Sequence, residues 1–312
     1  MRKLLIGIAL MLSSGMVCTV FGQQTPVFAN YNYNTVVINP AHAGYYPDAD
    51  LTLTNLGYFN QFEGSPKNIG LTFNTPLKSE RFGLGAGVYS DKIGVSRTSS
   101  AFVSYAYKIF FKNPNRGGRW WTYNPNVLSF GITAGMAIYN ENLSELNISN
   151  DIEFANNVGA TIPTLGVGVL YNREHFYLGL SAPNLLSDHL SSDDSVNIEV
   201  SNPFYAYAGY RFYVTRAKRF LVKPSVLTKY EPGAPAQIEL NTIVNYENNL
   251  ELGVGYKTNE SLNVLVGFRI TNHLKFVYNY NQTLRNMPVN NTHGIVLSYR
   301  FGDGFRRYDK YY

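Results

Sequence analysis

From residue 49 onward, apolar side chains alternate with small or polar ones along most of the chain. The last such stretch, 294–301, places Ile295, Leu297, Tyr299 and Phe301 on one face and Val296, Ser298 and Arg300 on the other. This period of two is the signature of β-strands with one greasy face. Alternation and breakers together predict strands at 49–59, 68–75, 82–92, 98–110, 126–139, 163–172, 175–183, 204–213, 220–231, 235–245, 249–257, 262–270, 273–281 and 293–301. Fourteen is an even number, and ten residues at about 3.3 Å rise and about 45° tilt cover roughly 23 Å, close to the apolar band of an outer-membrane barrel. The expected fold is therefore all-β, a transmembrane outer-membrane β-barrel of about 14 antiparallel strands. Leu250, Leu252, Val254 and Tyr256 should face lipid, with Glu251, Gly253, Gly255 and Lys257 turned inward. Leu274, Phe276, Tyr278 and Tyr280 should do the same against Lys275 and Asn279.

The links differ in length. Those at 172–174, 257–261 and 271–273 are tight and polar, while those at 112–125, 140–162 and 185–203 are long. Barrels of this kind keep short turns on the periplasmic side, so most of the long links are expected outside the cell.

One segment before the first strand does not alternate. It contains FANYNYNTVVINPAHAG, in which Asn39 and Pro40 break any strand and Ala41, Ala43 and Gly44 permit close backbone contact. Fourteen strands enclose more space than the eight whose side chains fill the interior. The segment is thus a candidate plug, in or across the barrel, with Tyr31, Tyr33, Asn39, Pro40 and Gly44 as its characteristic residues.

The N-terminus sets the compartment. Arg2 and Lys3 precede a mostly apolar run, residues 4–20, and Gly22 stands where a signal peptidase prefers a small residue, which predicts cleavage before Gln23. Val17 before Cys18 argues against a lipobox. Cys18 is the single cysteine, so the processed chain would lack a disulfide and a thiol nucleophile. The organisation read from the sequence is signal peptide 1–22, non-barrel segment 23–48, barrel 49–301 and tail 302–312.

Composition fits this reading. Charged residues make up 15% of the chain, below the roughly 25% of soluble domains, which need charge on their surface. Tyrosine and phenylalanine number 25 and 19, as expected where rings sit at a lipid boundary. Removing Arg2 and Lys3 from the 26 basic residues leaves 24 against 21 acidic ones, a net +3 that gives no case for nucleic acid.

Catalytic chemistry is not visible. His42, His175, His189, His273 and His293 never fall at metal-motif spacings, and no G-x-S-x-G elbow occurs. Gly83, Gly85 and Gly87 have the wrong spacing for a phosphate loop and read as luminal glycines where something packs closely. Asp188, Asp193 and Asp194 lack an EF-hand's ligand order. No enzyme, metal site or cofactor is expected. The stretch RGGRWW holds both tryptophans, Trp120 and Trp121, beside Arg116 and Arg119. Such residues serve either as an interfacial anchor or as a partner-binding hot spot.

Five pieces together resemble a known family: QQTPVFANYNYNTVVINPAHAG from Gln23, SDKIGVSR from Ser90, APNLL from Ala182, KPSVLTKYEPGAPAQIELN from Lys223 and HGIVLSYRF from His293. In this order they are similar to the PorP/SprF membrane proteins of the type IX secretion system. The resemblance implies a non-enzymatic outer-membrane barrel that supports secretion or surface anchoring of cargo, including large adhesins used in gliding motility. It also implies as partners a periplasmic peptidoglycan-binding lipoprotein and the ring of the secretion machine. The tail GDGFRRYDKYY departs from a family pattern that commonly ends at the last strand. An alternative from another class is a passive diffusion channel resembling the fatty-acid transporter barrels.

Overall fold

Most strands alternate more buried residues with more exposed ones. In the strand Leu250–Lys257, Leu250, Leu252, Val254 and Tyr256 point outward and Glu251, Gly253 and Gly255 inward, as the pleat requires. The computed structural model describes residues 31–57, 64–78, 81–111, 126–146, 157–186, 202–214, 219–258, 261–284 and 291–305. The expected signal peptide, with Cys18, lies outside the described residues, as do Asp188, His189, Asp193 and Asp194.

Fifteen strand segments form one antiparallel sheet. They are β1 (Asp50–Leu56), β2 (Lys67–Pro76), β3 (Phe82–Ile93), β4 (Ser96–Phe110), β5 (Val127–Glu141), β6 (Val158–Asn172), β7 (Phe176–Ala182), β8 (Phe204–Tyr210), β9 (Phe212–Tyr213), β10 (Phe220–Tyr230), β11 (Gln237–Tyr246), β12 (Leu250–Lys257), β13 (Ser261–Arg269), β14 (Leu274–Thr283) and β15 (Asn291–Arg300). Neighbours in sequence pair throughout. β15 pairs with β1, Asp50 opposite Arg300 and Leu56 opposite Gly294, and this ladder closes the ring. β8 and β9 both pair with β10 and form one strand, which gives fourteen. Their interruption at Arg211 lies where β10 carries Pro224, which has no N–H for the ladder. A closed ring has no edge strand, the condition for backbone to sit in hydrocarbon.

Pro163 lies inside β6, opposite Met136 of β5. It is tolerated because β7 is short. Strand β7 meets β6 only from Val167 to Asn172, so the missing N–H of Pro163 faces an unpaired stretch.

The outer face is a continuous apolar belt, with Val103, Ile132, Leu180 and Val254 each more than half exposed. Near one end the belt becomes aromatic. Phe82 stacks on Tyr105 at 5.7 Å, Phe220 meets Tyr246 at 4.8 Å and Tyr299 meets Phe301 at 5.0 Å. Such a girdle marks a membrane–water interface. That end also carries the start of β1, the end of β15 and the short links 77–81, 173–175, 214–219, 247–249 and 270–273, so loop length makes it the periplasmic end. Two of the three long links, 142–157 and 183–203, emerge at the opposite end; the third, 112–125, emerges at the periplasmic one. The tight link 258–260 lies at the outer end, so short turns are not confined to one side.

Beyond Phe301 the chain keeps to the fold. Phe305 is buried, its ring within 4.4 Å of the Arg300 guanidinium and 5.2 Å of Lys275 Nζ. Its amide donates to Asn272 O and its carbonyl accepts from Asn248 Nδ2.

Candidate functional site

Residues 31–48 lie within the strand ring, where they can touch staves from all sides. The segment is built of three helical turns, Tyr31–Tyr33, Thr35–Ile38 and Pro40–His42. Asn39 and Pro40 separate the last two. The Asn39 side chain accepts from Ala41 N at 2.9 Å and so caps the turn that Pro40, with its fixed φ, begins. The other end of the same amide reaches the wall: Asn39 Nδ2 donates to Tyr207 Oη at 2.8 Å and Val169 O at 3.1 Å. Asn39 has no exposed surface.

The wall answers with hydroxyls and one lysine. Ser129 Oγ donates to Ala41 O at 2.8 Å, Ser181 Oγ to Ile38 O at 2.7 Å and Thr72 Oγ1 to Asn34 Oδ1 at 2.8 Å. Lys108 Nζ donates to Gly44 O. The Ser129, Ser181 and Lys108 bonds satisfy backbone carbonyls that a buried non-strand segment would otherwise leave unpaired. Close approach needs glycine on the wall. A Cβ on Gly131 would overlap the backbone at Pro40 and Ala41, one on Gly83 the Ala43 carbonyl, and one on Gly168 the Asn39 amide. Gly85 likewise faces Val36 and Ala43, whereas Gly87 faces Phe102.

A charge cluster holds the segment on the other side. Glu251, 2% exposed, binds Lys275 Nζ at 3.1 Å and Lys223 Nζ at 3.3 Å through Oε1. Asn245 Nδ2 donates to the same oxygen at 2.8 Å. Its second oxygen accepts from Tyr33 Oη at 2.7 Å. Burial, reinforced by the Glu251 charge, raises the Tyr33 pKa, so the phenol keeps the proton this bond requires. His42 is the reverse case. Burial, helped by Arg211 and Lys108, holds its pKa down to about 3, so the imidazole is neutral. Arg211, at the strand interruption, donates to Tyr45 Oη at 2.9 Å and Asn172 Oδ1 at 3.1 Å. Arg300 lies 3.7 Å over the Tyr46 ring.

The structure thus brings Tyr31, Tyr33, Asn39, Pro40 and Gly44 together in the lumen; all but the partly buried Tyr33 are buried. Arg116, Arg119, Trp120 and Trp121 lie outside the described residues. The strand ends flanking them are paired by Phe111 N to Asn126 O at 2.9 Å, which fixes their link to the periplasmic end. Among the other histidines, His293 meets Tyr278 Oη at 2.6 Å, and His175 and His273 sit in turns. No group of three or more metal-ligating side chains occurs among the described residues. Sequence reasoning missed the role of Glu251, Lys223, Lys275, Lys108 and Arg211. The available signal was a charged residue at an inward position of an alternating strand.

The family model for the type IX secretion system membrane protein PorP/SprF matches residues 20–299, which takes in the luminal segment and every strand except Arg300 at the end of β15. The chain belongs to the PorP/SprF family. It is a membrane protein of that secretion system by family, and its closed ring and apolar belt make it an outer-membrane barrel. Solved structures similar to this PorP/SprF chain include the toluene transporter TodX of P. putida, at 13% identity over 86% of this chain and 93% of that one, with a TM-score of 0.47. The monoaromatic hydrocarbon channel CymD is 13% identical over 85% and 91%, with a TM-score of 0.48. A porin mutant of Rh. blastica is 8% identical over 81% and 99%, with a TM-score of 0.35. No curated protein matches the chain.

Proposed function

We propose that this PorP/SprF protein is a non-enzymatic barrel that serves type IX secretion through its two faces, with its lumen closed by its own N-terminal segment. The observation that supports this is the density of bonds between residues 31–46 and staves on opposite sides of the ring, from Thr72 and Lys108 to Glu251. A segment held from both sides is a fixed plug. The barrel then contributes docking surfaces and no pore, and it has no nucleotide motif with which to power export. Cargo, such as a large surface adhesin of gliding cells, would meet the outer loops. A peptidoglycan-binding lipoprotein and the ring of the machine would meet the periplasmic face.

On that face the link carrying Arg116, Arg119, Trp120 and Trp121 is the contact we assign to a partner. Trp and Arg dominate interface energetics. The test is the double substitution Trp120→Ala and Trp121→Ala followed by crosslinking in living cells and mass identification. Loss of the periplasmic partner with heat-modifiable gel mobility intact supports docking. Loss of the folded barrel itself identifies an interfacial anchor and removes the docking role. Solute flux through the unaltered protein in liposomes would favour the diffusion-channel alternative.

A further inference from the structure

Between the luminal segment and a wall to which β1, β2, β6, β7, β8, β10 and β11 contribute lies a chamber of about 160 Å³. Tyr31, Tyr33, Tyr45, Tyr177 and Tyr207 supply much of its lining. Buried polar atoms on its lining that make no hydrogen bond with a described residue include Asn34 Nδ2, His42 Nε2, Asp50 Oδ1 and Asn74 Oδ1. Asn34 is only 4% exposed, and its other side-chain atom is already used by Thr72. Leaving a buried polar atom unsatisfied costs roughly 1–3 kcal/mol, so the gathering of such atoms around one chamber points to an occupant.

The lining also defines the occupant's chemistry. Its cations are committed within the protein: Lys223 to Glu251, and Arg211 to Tyr45 and Asn172. An anionic ligand would have to break one of these sets, while the Asp50 oxygen is an acceptor open to a hydroxyl. The unsatisfied atoms include a donor, Asn34 Nδ2, and an acceptor, Asn74 Oδ1, and a hydroxyl can serve either. Tyrosine faces offer apolar contact to the C–H side of a ring. We propose that the chamber binds a neutral, hydroxyl-rich molecule of monosaccharide size, alone or as the terminal unit of a glycan. This inference does not rest on the secretion role.

The test uses the full processed chain in detergent with D-glucose as the probe, read by saturation-transfer NMR. Two variants fill the chamber from its wall, Ser225→Leu and Ile243→Phe, each checked for heat-modifiable gel mobility so that one serves if the other does not fold. The expected result is saturation transfer from the wild-type protein that falls about tenfold in the filled variant, the equivalent of about 1.4 kcal/mol. Absence of transfer from the wild type overturns the proposal. Equal transfer from wild type and filled variant does so as well, as does a structure with saturating glucose in which only water occupies the chamber.

Discussion

Replacing Asn39 by alanine should loosen the luminal segment while leaving the barrel intact. The side chain makes two firm bonds to the wall, at 2.8 Å to Tyr207 Oη and 3.1 Å to Val169 O, and one cap bond to Ala41 N at 2.9 Å. At about 1 kcal/mol each the substitution removes about 3 kcal/mol of docking energy, a roughly hundredfold rise in the undocked population. None of these bonds belongs to a strand ladder, so closure of β15 on β1 should not change. A cysteine at Val36, 4% exposed and packed beside Ala43, reports the event. In a Cys18→Ser background it is the single thiol. The rate of maleimide labelling should rise by about two orders of magnitude in the Asn39→Ala protein, provided docking and release are fast relative to the reaction. An unchanged rate, with both proteins folded by gel mobility, would refute the view that Asn39 pins the segment.

Other outcomes follow from the same contacts. Glu251→Ala leaves Lys275 and the partly exposed Lys223 without their carboxylate and should cost roughly 3–5 kcal/mol, seen as a lower temperature of gel-mobility loss; Lys223→Ala should cost less. His42 is neutral when docked, its pKa about 3, but has an ordinary value of 6.5 once released. Below about pH 6.5 the released form therefore binds a proton that the docked form does not, so docking weakens as the pH falls toward 3. His42→Gln should flatten that part of the pH dependence in bilayer current recordings; an equal slope in both proteins would contradict it. Truncation after Phe305 should leave stability unchanged in heat-modifiability assays, whereas truncation after Phe301 should lower it, because Phe305 packs on Arg300 and Lys275.

The ring was legible in the sequence because lipid imposes a period of two. Strands β10, β12 and β15 lie within two residues of the positions alternation gives. The largest difference is β6, which begins at Val158 instead of 163, because Pro163 reads as a breaker and only the shortness of β7 makes it tolerable. The luminal contacts were not legible. Tyr33 and Glu251 are 218 positions apart and Asn39 and Tyr207 are 168 apart, and nothing local at either end announces the other. Inward parity identifies Glu251 and Lys275 as luminal, but which luminal group each one meets is set by the ring's closure. The glycines of β3 carried a partial signal. Their inward position implied a close neighbour, and the Ala43–Gly44 backbone lies against Gly83.

Current through a planar lipid bilayer tests the central claim most directly. A closed barrel filled by its own N-terminal segment should insert and remain silent, and a variant lacking residues 31–44 should insert and give stable conductance steps. Steps of equal size from both proteins would contradict a lumen closed by this segment, and failure of either protein to enter the bilayer from detergent would contradict the barrel itself.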